Sequence, residues 1–209
     1  MTARERQEQE RAQNTQEHGG KVLRLRDDMP NTPKPLAPFA GSTLVEHVLA
    51  AVAASGLRPV CCVVSDDRVA AVVPGGVIVV RNPEPELGIS TSLRAVLEVL
   101  ADDPTVDAVV VGLADQPLVG PEVWLRVAAA SAPMVAATYG GRRANPVRLD
   151  REVWAEAMGL RGDEGARALI RRHGAAEVAC DDAGDPSDAD TPDDLAVMER
   201  RWRSQTASG

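Results

Sequence analysis

The sequence predicts an α/β protein in which helices lie on a mostly parallel β-sheet. Two observations support this class: short, continuous apolar runs alternate with amphipathic segments, and the composition is 44% hydrophobic but only 2% aromatic. A continuous apolar run is typical of a strand buried on both faces. Ala, Val and Leu must then fill the core, and the alternation indicates parallel βαβ units with right-handed crossovers.

The first twenty residues are rich in Glu, Gln and Arg and contain almost nothing apolar. Such a segment cannot bury enough surface to offset its ordering entropy, so we expect a disordered polar tail over 1–20. Residues 22–26 alternate apolar and basic side chains like an edge strand, and a loop follows. We predict a single domain over 21–203, which suits a chain of this length.

The remaining elements follow from periodicity and from capping residues. Ser42 is a candidate N-cap for an Ala-rich helix over 43–52 that Gly56 would close, and 59–64 reads as a strand buried on both faces. An antiparallel edge strand is predicted at 147–149, after a polar turn at 140–143. Further helices are predicted over 69–73, 92–100, 122–130, 152–158, 164–172 and 193–202, and further strands over 77–80, 108–113, 134–138 and 177–179.

Charge and hydropathy exclude several classes of partner. The net charge of −8 argues against binding nucleic acid, since phosphate backbones are held by clustered Lys and Arg. No run approaches the roughly 18 apolar residues that span a bilayer, so we expect a soluble cytoplasmic protein without membrane contact. Cys61, Cys62 and Cys180 cannot form an even disulfide framework and are interpreted as core residues.

An acidic strand end is the first candidate site. Asp115 comes two residues after the apolar run 108–113, and in open parallel sheets ligands bind at the carboxyl ends of strands. A carboxylate there suits Mg²⁺ bound together with substrate phosphates. The spacing alone is equally compatible with an Asp115 that merely caps a turn opened by Pro117.

A second acidic cluster precedes the last predicted helix. Thr191 is a ready N-cap, and Asp193 and Asp194 suit the positive end of the helix dipole, which explains most of this motif without a ligand. Asp188 and Asp190 lie ahead of the helix and remain available to complete a metal site.

Several small polar residues also follow predicted strands or open predicted helices. Hydroxyls and backbone amides at a helix start can seat a base, ribose or phosphate, although Ser and Thr are common helix caps. Lys34 lies between two prolines and could supply a point charge for a phosphate. The three histidines have no nucleophile pattern around them, which disfavours a hydrolytic triad. The candidates for nucleotide contacts are Asn82, Gly88, Ser90, Ser92, Gln116 and Asn145.

Taken in order, seven short motifs resemble those of the MobA-like nucleotidyltransferases, and the molybdenum-cofactor cytidylyltransferases are the most similar branch. The resemblance covers about residues 33–198, and the ordered set is far more specific than any single motif. The motifs are Pro33-Lys34-Pro35-Leu36-Ala37-Pro38-Phe39, Thr43-Leu44-Val45-Glu46-His47, Asn82-Pro83, Gly88-Ile89-Ser90-Thr91-Ser92-Leu93-Arg94, Leu113-Ala114-Asp115-Gln116-Pro117, Gly162-Asp163-Glu164-Gly165-Ala166-Arg167 and Asp190-Thr191-Pro192-Asp193-Asp194-Leu195.

The resemblance implies a Rossmann-like three-layer sandwich that binds an NTP and Mg²⁺. It implies transfer of a nucleotidyl group, from CTP by preference or from GTP, to a phosphorylated acceptor such as molybdopterin, with release of pyrophosphate. Asp115 would be the principal metal ligand, Asp190 a second one and Lys34 a phosphate contact. Asn82, Gly88, Ser90, Ser92, Gln116 and Asn145 would contact the nucleotide. A molybdoenzyme maturation protein is an implied partner.

The sequence departs from the family before Pro33. The family carries a glycine loop, Leu-Ala-Ala-Gly, that wraps the triphosphate, whereas 22–31 contains no glycine and includes two adjacent aspartates. Without glycine the backbone cannot approach phosphates closely. Three alternatives follow: an active member with an altered loop, a paralogue that binds without catalysis, or an N-terminus translated in the wrong frame to about residue 32. We favour the third; genomic sequence without an Ala-Ala-Gly loop in a shifted frame would exclude it.

Overall fold

A computed structural model describes residues 32–206 of the chain. The polar tail predicted for 1–20, the edge strand predicted for 22–26 and most of the following loop lie outside the described residues. The extent of the domain, 21–203, therefore stays a prediction. Within the described part, the last helix continues to Thr206, a few residues beyond its predicted end.

Helices and strands alternate along the described chain, as the apolar periodicity predicts. Single 3₁₀ turns occur at Lys34–Leu36, Pro85–Leu87 and Arg151–Val153. The elements are β1 (Pro38–Phe39), β2 (Ser42–Thr43), α1 (Leu44–Ala54), β3 (Cys61–Val64), α2 (Asp67–Val72), β4 (Ile78–Arg81), α3 (Ile89–Ala101), β5 (Ala108–Val111), α4 (Pro121–Ala129), β6 (Met134–Tyr139), β7 (Arg142–Asp150), α5 (Trp154–Met158), α6 (Ala166–His173), β8 (Ala176–Ala179) and α7 (Pro192–Thr206).

The sheet is only partly parallel. Strands β3 and β4 form a parallel pair, and four further strands form a sheet in the order β5-β7-β6-β8. In that sheet β6 and β8 are parallel, while β7 runs antiparallel to both β5 and β6. The reversed strand therefore lies inside the sheet, and the prediction of an edge strand at 147–149 was wrong.

A bulge explains how β7 holds an interior position although it contains Pro146. Proline donates no backbone hydrogen bond, so it is confined to edges and bulges. Strand β6 pairs Ala136 with Val147 but Ala137 with Ala144, so Asn145 and Pro146 are left out of the register. Strand β5 pairs with β7 only from Val147 onward. Neither neighbour therefore needs an N–H from Pro146.

Alternate residues of β6 pack against helices on opposite faces, as a period of two requires. Met134 and Ala136 belong to a core cluster with Leu97 of α3 and Leu169 of α6. Val135 and Ala137 belong to a second cluster that includes residues of α1 and α4. Helices thus cover both faces of the sheet, which is the three-layer, Rossmann-like arrangement that the sequence predicts.

Strand β5 is less buried than its sequence predicts. All four residues of Ala108–Val111 are half-buried, although they form a continuous apolar run. Within residues 32–206, β5 is hydrogen-bonded to a neighbour on one side only, β7. The apolar run thus predicts the strand correctly but overestimates its burial in the described part of the protein.

Helix starts differ from prediction by one to three residues. Thr43, rather than Ser42, is the N-cap of α1, and its side chain forms a capping box with Glu46. Helix α6 begins at Ala166 with Gly165 as its N-cap, two residues after the predicted start at 164. The three cysteines are unpaired, as expected, although Cys61 is only half-buried. In the part of the chain that the structure describes, no helix is both long and apolar enough to cross a bilayer.

Candidate functional site

Three charged residues from distant parts of the chain meet at the carboxyl end of β5; we call them the charged centre. Lys34 lies in the first 3₁₀ turn, Asp115 follows β5, and Asp190 precedes α7. The Lys34 ammonium donates hydrogen bonds to Asp115 Oδ2 and, over 2.7 Å, to Asp190 Oδ1. The structure therefore brings together the three residues predicted as phosphate contact and metal ligands.

The three side chains of the charged centre differ in their exposure to solvent. The side chain of Lys34 is 8% exposed, that of Asp115 20% and that of Asp190 40%. Burial opposes the charged form of Lys34, but hydrogen bonds and attraction from Asp115 and Asp190 outweigh it and raise the pKa of the lysine. Lys34 is therefore an ammonium ion at neutral pH, and two carboxylates share one positive charge.

The observed contacts distinguish between capping and ligand-binding interpretations of the two acidic motifs. Within residues 32–206, the Asp115 carboxylate bonds to the Lys34 ammonium and to no backbone N–H, so it does not cap a turn. Thr191 does cap α7, in a reciprocal arrangement with Asp194. Asp190 lies ahead of that cap, and its carboxylate is directed to Lys34.

Gln116 ties the two acidic segments together. Its Nε2 donates to the Pro186 carbonyl over 2.8 Å and to Asp188 Oδ1 over 2.7 Å. The backbone N–H of Ala189 donates to the Asp115 carbonyl over 3.2 Å. We call these contacts the Gln116 latch. Gln116 is buried, and its Nε2 holds the segment that carries Asp190 beside Asp115. Its contact with nucleotide stays a prediction.

Asn82 organises the segment between β4 and α3. Its amide donates over 2.9 Å to the hydroxyls of both Thr91 and Ser92, and its Oδ1 accepts from the backbone N–H of Glu84. Ser90 is buried, and its hydroxyl has no hydrogen-bond partner within the described residues. Thr91 was missed as a candidate, although its place between Ser90 and Ser92 was a usable signal.

Gly88 allows two loops to approach closely. Its φ of +96° is in the region that favours glycine, and a Cβ there would lie 2.3 Å from the backbone carbon of Gly162. The N–H of Ser90 donates to the Gly162 carbonyl over 3.1 Å. The motif that contains Gly88 and Ser90 therefore contacts the motif that begins at Gly162, although the two are distant in sequence.

Asn145, the last predicted nucleotide contact, lies in the bulge of β7. The residue is buried, and its carbonyl accepts a hydrogen bond from the Tyr139 hydroxyl over 3.3 Å. Asn145, Ser92 and Ala114 line one cavity, of about 690 Å³ in the part of the chain that is described. This cavity brings the segment after β4, the end of β5 and the β7 bulge to a common space.

The donor set of the charged centre fits a hard divalent cation. Within residues 32–206, no group of three or more His, Cys, Asp or Glu side chains is placed to hold a metal ion. The two carboxylates nevertheless converge on a cation already, because the Lys34 ammonium bonds to both. Carboxylate oxygens are the ligands that Mg²⁺ and Mn²⁺ prefer, and Mg²⁺ commonly takes only one or two of them together with phosphates.

Several solved structures resemble this chain. A manganese complex of Rv0371c from Mycobacterium tuberculosis H37Rv is 27% identical, with a TM-score of 0.68 over 81% of this chain and 92% of that one. A nucleotidyl transferase from Methanothermobacter thermautotrophicus is 21% identical, with a TM-score of 0.68 over 90% and 94%. Molybdopterin-guanine dinucleotide biosynthesis protein A from Archaeoglobus fulgidus is 17% identical, with a TM-score of 0.60 over 89% and 96%. The last two likenesses show the fold alone.

The family comparison agrees with the motifs. No curated protein sequence matches the chain significantly. A family model, described as the MobA-like NTP transferase domain, matches residues 19–178, which include Lys34 and Asp115 but not Asp190. Because that match spans most of the chain, the protein belongs to the MobA-like NTP transferase domain family.

Proposed function

We propose that this nucleotidyltransferase transfers a nucleotidyl group to a phosphorylated acceptor and releases pyrophosphate. CTP is the favoured donor and GTP the second candidate. The observation that carries the proposal is the charged centre, where Lys34, Asp115 and Asp190 converge at the carboxyl end of β5. Ligands of open α/β sheets bind at that end of the strands, and the family establishes an NTP transferase domain.

Asp115 and Asp190 would hold one divalent cation, and we propose Mg²⁺. A bound divalent ion neutralises phosphate charge and orients the reacting groups. The manganese complex of Rv0371c supports use of a divalent metal by a protein of similar fold. Lys34 would contact the phosphates as a second positive charge. These residues would position the substrates and neutralise phosphate charge. In-line attack by an acceptor oxygen then needs no side-chain nucleophile.

The segment from Asn82 to Ser92 would hold the nucleotide. Its hydroxyls are already ordered by Asn82, which limits the entropy lost on binding. The buried Ser90 hydroxyl has no partner within the described residues, so it can bond to a ligand without breaking an existing contact. Gly88 and Asn145 would complete this side, the first by close backbone approach and the second across the cavity.

We propose molybdopterin as the first acceptor to test, because one protein of the same fold is a molybdopterin-guanine dinucleotide biosynthesis protein. The acceptor phosphate would meet the same cation and the same ammonium as the donor. A cytoplasmic location and a molybdoenzyme maturation partner belong to this proposal. Another small phosphorylated acceptor is the alternative, because proteins that share a fold differ in their substrates.

A second candidate function is binding without turnover. The stretch 22–32 contains no glycine and carries adjacent aspartates at the place where the family has its phosphate loop. A protein altered in this way would retain the metal side of the site and bind nucleotide without transferring it.

One pair of assays separates these functions. Calorimetric titration of the full chain with CTP and then GTP, with Mg²⁺ present, measures binding, and a pyrophosphate assay with molybdopterin measures transfer. We expect CTP binding and pyrophosphate release in the parent protein and neither in Asp115→Ala. Binding without pyrophosphate would favour the second candidate, and equal binding in parent and Asp115→Ala would remove the site. Asp182→Ala is the matched control, since that carboxylate pairs with Arg126 on an exposed face.

A further inference from the structure

The Lys34 ammonium occupies the position between two carboxylates where a metal ion is expected. It bonds to Asp115 Oδ2 and to Asp190 Oδ1, and its side chain is almost completely buried. A divalent ion coordinated by both carboxylates would stand within a few ångströms of that nitrogen. Two cations so close repel each other strongly where water is largely excluded. The ammonium and a divalent ion therefore compete for the same pair of oxygens.

The backbone segments that carry the two carboxylates are held in place by hydrogen bonds. The Gln116 latch and the bond from the Ala189 N–H to the Asp115 carbonyl hold both acidic segments. Capping of α7 by Thr191 fixes the chain directly after Asp190. Because the acidic segments are held in place, we expect the ammonium to move when the two cations compete.

The Lys34 ammonium can move while the Lys34 backbone stays anchored. Its backbone is anchored, because the Ala37 N–H donates to the Lys34 carbonyl and the Ala37 carbonyl accepts from the Leu44 N–H at the start of α1. Ala37 and Phe39 are completely buried and fix the following residues. The lysine stem has four rotatable bonds, so the ammonium can move by several ångströms while the backbone stays in place.

We propose that Lys34 is an internal counter-ion that occupies the metal position until nucleotide arrives, so that metal binding depends on nucleotide. This deepens the proposed function and rests on it. A triphosphate offers the ammonium a new anionic partner, and the divalent ion takes the place between Asp115 and Asp190. In the nucleotide-free protein the lysine keeps the affinity for divalent metal low. After the exchange the same ammonium contacts phosphate.

The first test measures Mn²⁺ binding to the full chain without nucleotide, by calorimetry and by the EPR signal of free Mn²⁺. Lys34→Met removes the charge and keeps a flexible stem, and we expect it to bind Mn²⁺ at least about tenfold more tightly than the parent. Lys34→Arg keeps the charge and should show no gain. Arg200→Met, on an exposed face of α7, makes the same change in net charge and should leave the affinity unchanged.

Two results would overturn the proposal: Mn²⁺ affinity in Lys34→Met that is equal to or weaker than in the parent, or an equal gain in Arg200→Met. The double variant Lys34→Met with Asp115→Asn must lose the gained affinity, which shows that the ion binds at the charged centre. Thermal melts of each variant, followed by circular dichroism, confirm that the protein measured is folded.

A second measurement follows the lysine itself. The chain contains two lysines, Lys21 and Lys34, so lysine labelled with ¹³C at Cε gives two signals, and Lys34→Arg assigns them. Saturating Mg²⁺ with CTP should shift the Lys34 signal in the parent and leave it unshifted in Asp115→Asn. An unchanged Lys34 signal in a parent protein shown to hold Mg²⁺ would contradict the exchange.

The two proposals fail in different ways. Tighter Mn²⁺ binding by Lys34→Met together with no pyrophosphate release from the parent would leave the counter-ion role standing and reject the transferase activity. Pyrophosphate release from the parent with no gain in Lys34→Met would reject the counter-ion role alone.

Discussion

The two sides of the candidate site are built in different ways. The charged centre joins residues 81 and 156 positions apart through ionic hydrogen bonds. In the segment from Asn82 to Ser92, which we call the nucleotide segment, the side-chain hydrogen bonds are local and join neutral groups, since Asn82 reaches Thr91 and Ser92 only 9 and 10 positions away. The charged centre therefore depends on how the whole fold closes. The nucleotide segment is ordered mainly by its own neighbours and meets a distant part of the chain at Gly162. Substitutions should separate the two sides.

The largest effect on the nucleotide side is expected for Gly88→Ala. Positive φ costs a residue with a Cβ about 1–2 kcal/mol, and the contact with the Gly162 backbone adds roughly another 1–3 kcal/mol. Chemical denaturation measures the loss of stability, and calorimetry measures the loss of CTP affinity. Gly41→Ala is the matched control, because Gly41 has a similar φ of +89° with nothing within 4 Å of a Cβ. Equal losses in both variants would mean that the approach to Gly162 is not tight.

Asn82→Ala should weaken the nucleotide side and spare the charged centre. It leaves two hydroxyls without their buried donor, which should lower the free energy of unfolding by about 1–3 kcal/mol. Because these hydroxyls lie in the nucleotide segment, CTP affinity should fall as well. Mn²⁺ affinity should be unchanged. Thr105→Val, which removes an exposed hydroxyl bond to Asp103, serves as the control. A parallel fall in Mn²⁺ affinity would show that the two sides are not separable.

Gln116→Ala should show the reverse selectivity to Asn82→Ala: it should weaken the charged centre and spare the nucleotide side. Loss of the Gln116 latch frees the segment that carries Asp190, and partners that orient metal ligands typically contribute about 10- to 100-fold in metal affinity. We expect weaker Mn²⁺ binding with little change in CTP affinity measured without metal. Gln116→Glu should be worse, since a second carboxylate would face Asp188. Unchanged Mn²⁺ affinity in Gln116→Ala would deny the latch a positioning role.

The smallest effect concerns the start of α1, which anchors the Lys34 turn through the bond from Leu44 N–H to Ala37 carbonyl. Hydrogen bonds from the Thr43 and Ser42 hydroxyls lower the pKa of Glu46. Its contribution to stability is therefore present above the unfolded pKa and is lost as pH falls through the folded one. Glu46→Gln should cost about 0.5–1 kcal/mol at pH 7, and this difference should vanish in denaturation curves below the folded pKa. A difference that persists at low pH would contradict the assignment.

Local patterns predicted local structure well. The alternation of apolar runs and amphipathic segments located most helices and strands to within a few residues, because burial and periodicity act over short distances. Strand β7 was misplaced because Pro146 argues against an interior strand, and the bulge that accommodates it requires knowledge of the partner β6. The N-cap of α1 was missed by one residue because Ser42 and Thr43 both suit the position.

The sequence predicted individual residues of the candidate site but not the hydrogen bonds between them. Lys34, Asp115 and Asp190 became candidates through their positions beside predicted elements, and the ordered family pattern assigned their roles. Nothing in their spacing indicates that one ammonium would bond to both carboxylates. Gln116 was predicted to contact nucleotide as part of the family motif around Asp115. Its hydrogen-bond partners in the structure, Pro186 and Asp188, lie about 70 residues away, so local sequence patterns do not indicate these contacts.

The separation of 156 residues between Lys34 and Asp190 also determines when the two side chains can meet during translation. At synthesis rates of about 5–20 residues per second, Asp190 emerges roughly 8 to 30 seconds after Lys34. Trp202, which packs against His47 and Phe39 beside the Lys34 turn, is made later still. A nascent chain therefore carries an incomplete charged centre until Asp190 has emerged, and only then can the Lys34 ammonium bond to both carboxylates.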